Sequence, residues 1–211
     1  RDSMAGIGTM TFYDPQSGLF GALGHGINDI DTALLMPLQS GSIMHASVTD
    51  VRKAETNTPG ELHGSFQVNN DLGSLYANTD DGVFGHLADG SMASGLTCVP
   101  VAQKDEVKTG HAIILSNISG EKVEEYSIEI VRVYPDNEGQ NRDLMIKVTD
   151  QALLSATGGI VQGMSGSPIL QNGKLVGAVT HVLVNNPTQG YGIFAQRMLD
   201  EAVTAWETAD T

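Results

Sequence analysis

The chain is 211 residues long, 40% of them hydrophobic, with a formal net charge of −14. That apolar content excludes a disordered chain, and the length suits one domain or two fused small barrels. The negative surface repels phosphate backbones, which excludes a nucleic-acid partner. No apolar run is long enough to span a membrane and no signal peptide is present, while a start at Arg1 reads as a processed form or an excised domain. A single cysteine, Cys98, excludes an internal disulfide, so the fold must rest on its core. Leu96-Thr97-Cys98-Val99-Pro100 offers no base or cationic setting, and Cys98 reads as a small buried hydrophobe.

In chain order, residues 4–13 read as a strand ending at the turn Asp14-Pro15-Gln16-Ser17-Gly18. Leu19–Leu23 is a short apolar strand, and His25 follows directly between Gly24 and Gly26. Ser42–Val51 and Glu61–Val68 read as strands separated by Asn57-Thr58-Pro59-Gly60. Asn69-Asn70-Asp71-Leu72-Gly73 and Asn78-Thr79-Asp80-Asp81-Gly82 read as turns, with short strands at Ser74–Ala77 and Val83–Leu87. Glu121–Tyr134 alternates apolar and polar residues; Tyr126, Ile128 and Ile130 share a face, then the phase slips at Val131. A one-residue slip inside a strand predicts a β-bulge. Asp136-Asn137-Glu138-Gly139 is the expected hairpin turn and Leu144–Val148 the return strand. Ile169-Leu170-Gln171, the turn Asn172-Gly173 and Lys174–Val184 make a second hairpin. Phe194, Met198, Leu199, Ala202, Val203 and Trp206 recur at helical spacing, which predicts one core-docking C-terminal helix with Trp206 as an anchor. Many short strands and one helix give an all-β class with two barrels: about 1–98, about 99–194, then a helix over 195–208.

The chemistry concentrates in Gly158-Gly159-Ile160-Val161-Gln162-Gly163-Met164-Ser165-Gly166-Ser167-Pro168-Ile169. A serine among glycines lets a carbonyl approach closely, and glycine tolerates backbone angles that aim N–H groups at a developing oxyanion. Serine needs an adjacent base, for which His25 is the candidate. Ser167 is the rival nucleophile within the loop. His45, His63, His86 and His111 are scattered without ligand spacing, so no metal and no cofactor is expected.

Gly163–Pro168 resembles the Gly-x-Ser-Gly-Gly-Pro loop of chymotrypsin-like, two-barrel serine peptidases. Together with Gly6–Thr11, Phe20–Gly26, Pro59-Gly60-Glu61, Val148-Thr149-Asp150, Thr157–Ile169 and Val176–Val182, it resembles the SpoIVB peptidase family of spore-forming bacteria, over about Met4 to Met198. The resemblance implies two β-barrels with the active site between them, Ser165 as nucleophile, His25 as base, and the N–H groups of Gly163 and Ser165 as the oxyanion hole. It points to Asp150 as the acid, fifteen positions before Ser165 (165 − 150 = 15). Standard two-barrel peptidases instead carry this aspartate in the first barrel, where Asp31, Asp71, Asp80 and Asp81 stand, and the alternative reading of Asp150 is a turn or helix-cap residue before Gln151. Met164 occupies the place of the aspartate that pairs with a newly cut N-terminus in trypsin-like enzymes, so activation by that route is not expected. Thr180, His181 and Val182 would line the substrate cleft, a peptide adding to the strand edge. The implied function is a sporulation-signalling endopeptidase, secreted into the space between forespore and mother-cell membranes. Its protein substrate there would be a membrane-bound regulator of an intramembrane protease. The membrane anchor and PDZ domain usual in that family are not visible in this segment. The alternatives are a peptidase fold that binds a partner without cutting it, and a hydrolase using Cys98.

Overall fold

The computed structural model describes residues 4–136 and 141–209. The strands are β1 Met10–Tyr13, β2 Leu19–Ala22, β3 Ser42–Arg52, β4 Glu61–Thr79, β5 Gly82–Leu87, β6 Gly110–Ser116, β7 Glu124–Val133, β8 Leu144–Val148, β9 Pro168–Gln171, β10 Lys174–Val182 and β11 Gln189–Phe194. Helix α1, Gln151–Thr157, lies between β8 and β9, and α2, Ala195–Ala209, follows β11.

The last six strands close into a barrel in the order β10-β11-β8-β7-β6-β9. The first five form one antiparallel sheet, β1-β2-β5-β4-β3, which curls into a half-barrel without closing. One cause lies at its N-terminal edge. Strand pairing was expected from residue 4, but β1 begins at Met10, and Thr9 turns instead to the second barrel, its N–H donating to Ser165 O at 3.0 Å.

Alternating apolar residues explain the second barrel directly. Ile114, Ile128, Ile130, Leu144, Ile146 and Ile169 are all fully buried. The bulge foreseen in β7 is present: pairing with β8 shifts between Ile130 and Arg132, leaving Val131 exposed. At the Asn172-Gly173 turn both residues have positive φ, 52° and 75°, as a tight hairpin requires. Beyond Asp136, the hairpin turn expected at Asp136–Gly139 lies outside the described residues.

The sequence misleads elsewhere. Asn69–Gly73 is not a turn but part of the 19-residue strand β4. Its register against β3 jumps from Met44↔Asp71 to Ala46↔Phe66, so the turn-forming asparagines sit where β4 carries surplus residues. Cys98 is exposed rather than buried.

Helix α2 ties the two halves together. Met198 and Ala202 pack with Phe84 of β5, Ala178 of β10 and Ile193 of β11 in a second core cluster at the junction. Tyr76 of β4 donates to Ala202 O at 2.7 Å, and Trp206, 38% exposed, meets the Tyr76 ring edge-on at 5.1 Å. Burial, reinforced by Glu201, pushes the Tyr76 hydroxyl up to about 12, so it stays a donor. The helix start is fixed by Asp143. This fully buried carboxylate accepts from Phe194 N at 2.8 Å and from Arg197 Nη2 at 2.6 Å. Burial raises the Asp143 pKa, and the Phe194 N–H and Arg197 oppose that rise. Arg197→Met should therefore strand a buried carboxylate and destabilise the fold by about 3 kcal/mol in denaturant titrations at neutral pH. Adding Asp143→Asn should recover part of that loss, because the unpaired charge is then gone.

Candidate active site

The nucleophile loop is held from both halves of the molecule. Met164 is fully buried in the barrel core and its Sδ accepts from Val161 N at 3.4 Å. The residue that replaces the zymogen aspartate is therefore the loop's apolar root. On the other side the N-terminal segment grips the loop. Thr9 Oγ1 donates to Gly163 O at 3.2 Å, Thr11 Oγ1 to Gly166 O at 2.8 Å, and Thr9 N to Ser165 O at 3.0 Å. Gly166, at φ +90°, is obligatory here: a Cβ would stand 2.2 Å from Thr9 O and 2.5 Å from Leu23 N. Ser167 Oγ, by contrast, is buried and has no hydrogen-bond partner among the described residues. It is walled off from substrate, whereas Ser165 is half-buried and borders a pocket.

His25 follows β2 through two consecutive left-handed residues, Leu23 at φ 69° and Gly24 at φ 70°. Gly24 packs so closely on β10 and β11 that a Cβ would lie 2.9 Å from both Thr180 Cγ2 and Ile193 Cγ2. Antiparallel pairing of Ala22 with Val83 places the β4–β5 turn, Asp80-Asp81, beside the end of β2. The result is a polar cavity of about 420 Å³ lined by His25, Gly26, Asn28, Asp80, Asn141, Arg142 and His181.

His25 and Ser165 lie on adjoining cavities but are not hydrogen-bonded to each other here. His25 Nδ1 is 2.9 Å from Gly26 O, and Ser165 Oγ donates to Thr180 O at 3.3 Å. Nor does the structure bring Asp150 to His25. Asp150 Oδ1 accepts from Ala152 N at 3.0 Å and Leu153 N at 3.1 Å, and Oδ2 from Ser127 N at 3.2 Å, which makes it the N-cap of α1. Of the first-half aspartates, Asp80 borders the His25 cavity. Asp81 is half-buried, its pKa raised by burial and offset by Arg197. Asp150→Asn keeps the cap through one oxygen but sets an amide NH2 against Ser127 N–H, so it should destabilise measurably, while Asp150→Ala, which loses the cap as well, should cost at least about 1 kcal/mol in thermal or denaturant unfolding.

Thr180, His181 and Val182 line the same pocket as Ser165. Strand β9 stops at Pro168, opposite Ala178, so β10 beyond Val179 has an open edge facing the Ser165 loop. Thr180 is an extra residue in β10, falling between the pairs Val179↔Gly192 and His181↔Tyr191. Its side chain is buried and donates to Asn141 O at 2.9 Å. Asn141 Nδ2 in turn donates to Asp80 O. A chain of hydrogen bonds thus runs from the Asp80 turn through Asn141 and Thr180 to the Ser165 hydroxyl. Asn141 and Arg142 carried no signal in the sequence; only the folded barrels bring them beside His25. The N–H groups of Gly163 and Ser165 make no hydrogen bond to another group among the described residues.

His181 borders both cavities, its ring centroid 5.5 Å from that of His25. Burial, then repulsion from His25 and Arg142, lowers its pKa to about 4. It is therefore neutral at physiological pH, and its buried Nδ1 has no partner among the described residues. Between about pH 6.5 and 4 the unfolded chain binds this proton and the folded chain does not, so His181 makes stability fall as pH falls through that window. The raised pKa values of Asp81, Asp143 and Glu201 act in the opposite sense. Comparison with His181→Phe isolates the histidine: the variant's advantage in melting temperature should widen steadily from pH 7 to pH 4.5.

With this geometry in place, the relationships are informative. A model of the SpoIVB peptidase S55 family matches residues 1–199. The chain belongs to the SpoIVB peptidase S55 family. That family is one of hydrolases of the serine endopeptidase class. No curated protein sequence matches it. Among solved structures, the HtrA-type protease AlgW with a decapeptide superposes with a TM-score of 0.50 at 15% identity, over 71% of this chain and 45% of that one. An inactive mutant form of Rv3671c from M. tuberculosis H37Rv gives 0.47 at 14% identity, covering 80% and 85%. The AlgW likeness is one of fold, and this chain spans less than half of that protein. No helix among the described residues is long and apolar enough to cross a membrane.

Proposed function

We propose that this S55 chain cleaves a protein substrate with Ser165 as nucleophile and His25 as general base. The observation that carries the proposal is the placement of the two residues. Ser165 stands on a loop clamped between the half-barrel and the barrel, at the open edge of β10, with His25 presented by β2 to the adjoining cavity. Serine chemistry requires the hydroxyl proton to pass to the imidazole, and the imidazole to return it to the leaving amine. The N–H groups of Gly163 and Ser165, unused by the fold, would receive the oxyanion.

The Ser165 hydroxyl is parked on Thr180 O in this structure. A peptide adding along Thr180–Val182 would offer that carbonyl a backbone N–H. The hydroxyl would then be released toward His25, and substrate binding would help to assemble the catalytic pair. The role of acid divides between two carboxylates. Family resemblance assigns Asp150; the shared cavity favours Asp80, whose backbone the Asn141 contact anchors. Resemblance further supports a membrane-bound regulator of an intramembrane protease as substrate, in sporulation signalling outside the cytoplasm. A second reading, a partner-binding module without catalysis, draws on the separation of His25 and Ser165 in this structure.

Fluorophosphonate labelling of Ser165 distinguishes the two readings, since only an activated serine reacts. Ser165→Ala and His25→Ala should each abolish cleavage of an unfolded protein substrate, and the double variant should be no worse than either, because the pair acts as one unit. Asp80→Asn should lower kcat by orders of magnitude, approaching about 10⁴-fold where the amide imposes the wrong tautomer on His25, with KM little changed. The same loss in Asp150→Asn instead, with Asp80→Asn near wild type, would return the role to Asp150.

A further inference from the structure

We infer that the pocket beside Ser165 receives the substrate side chain on the acyl side of the scissile bond, and that it selects a mid-sized, uncharged aliphatic residue there. The inference rests on Ser165 being the nucleophile and adds what the nucleophile cuts after. The pocket holds about 190 Å³. Its walls come from the two segments that flank the serine: Ile160 and Val161 before it, Val179 and Val182 of β10 after it. A peptide paired with the open β10 edge, its carbonyl at Ser165 Oγ, would drop the preceding side chain between these walls, because strand side chains alternate about the backbone.

Two features set the selectivity. The first is charge. No Asp, Glu, Lys or Arg lines the pocket, and its polar members are Gln162, Ser165, Thr180 and His181. His181 is neutral at working pH, its pKa lowered to about 4. A charged substrate side chain would lose water here and gain no partner, a strongly unfavourable transfer. The second is size. An apolar protein cavity of about 150 Å³ accepts benzene, so this one suits a valine, leucine or methionine side chain. Ile160, 3% exposed, is packed tightly behind: a Cβ on Gly190 would stand 2.7 Å from Ile160 Cδ1, so this wall cannot retreat to admit an indole ring.

Peptidyl diphenyl phosphonates test this without knowledge of the natural substrate. Ser165 Oγ forms a bond to phosphorus, one phenoxide leaves, and the hydroxyl proton passes through the base to the departing phenol. Reagents differing only in the side chain at phosphorus are compared with a simple fluorophosphonate that carries none. Labelling of Ser165 in the chain as described should be at least about tenfold faster with Val, Leu or Met side chains than with Lys, Arg, Asp, Glu or Trp. A flat profile, or a preference for a charged or indole side chain, overturns the inference while fluorophosphonate labelling still upholds Ser165. Failure of Ser165 labelling by the fluorophosphonate and by every peptidyl phosphonate overturns the serine reading and this inference with it. Val182→Asp and the exposed Gln162→Glu each put a carboxylate on the pocket wall. Either should raise the Lys-to-Leu rate ratio at least about tenfold, with rates normalised to fluorophosphonate labelling. An unchanged ratio in both variants also overturns the inference, since their added charge would then lie outside the path of the substrate side chain.

Discussion

Everything at this site depends on the grip of residues 9–11 on the loop at 163–166. Thr9 and Thr11 belong to the half-barrel side, Gly163 to Gly166 to the closed barrel, and their hydrogen bonds cross between the two. At Gly166 backbone packs directly on backbone, Thr9 O and Leu23 N, which explains the absence of a side chain there. It explains too why the first sheet does not close, since the segment that would extend β1 is used as a clasp. Behind it, the cluster of Phe84, Ala178, Ile193 and Met198 sets the two halves at a fixed spacing, and α2 is held there by the buried Asp143–Arg197 pair. The site is an edge between two cores, so small movements of either core are felt at the serine.

That geometry leaves the proposed catalytic pair poised rather than joined. Each partner is satisfied by a nearby carbonyl, Gly26 O for His25 and Thr180 O for Ser165. On the proposed function, a peptide strand would compete for one of those carbonyls and so link binding to activation through a single hydrogen-bond exchange, with no need for the N-terminal ion pair of trypsin-like enzymes. Met164, rooted in the barrel core, marks the same difference. The Asp80–Asn141–Thr180 chain gives the linkage a route from the histidine side to the serine side.

Much of this was legible from the residues. The Leu19–Ala22 strand ahead of His25, the bulge in β7, the Asn172-Gly173 hairpin and the terminal helix all follow from short-range rules of alternation, turn chemistry and helical spacing. Where the rules failed, a longer-range interaction prevailed. The turn residues Asn69–Gly73 were absorbed into a strand by a register jump against β3. Cys98 has the composition of a core residue but lies on the exposed stretch joining the two halves.

The sequence by itself determined the class of fold, the family and the identities of Ser165 and His25 as candidates, because glycine-flanked serine and histidine at strand ends are local patterns. Tertiary structure alone decided which aspartate borders the His25 cavity. In one dimension the resemblance points to Asp150, and Asp80 is one of four candidate carboxylates of the first half. The pairing of β2 with β5 brings Asp80 to the histidine cavity, whereas three backbone N–H groups hold Asp150 at the start of α1. The apolar pocket beside Ser165 is likewise a property of the fold: its walls come from segments about twenty residues apart, and only the closure of the barrel sets them around one serine.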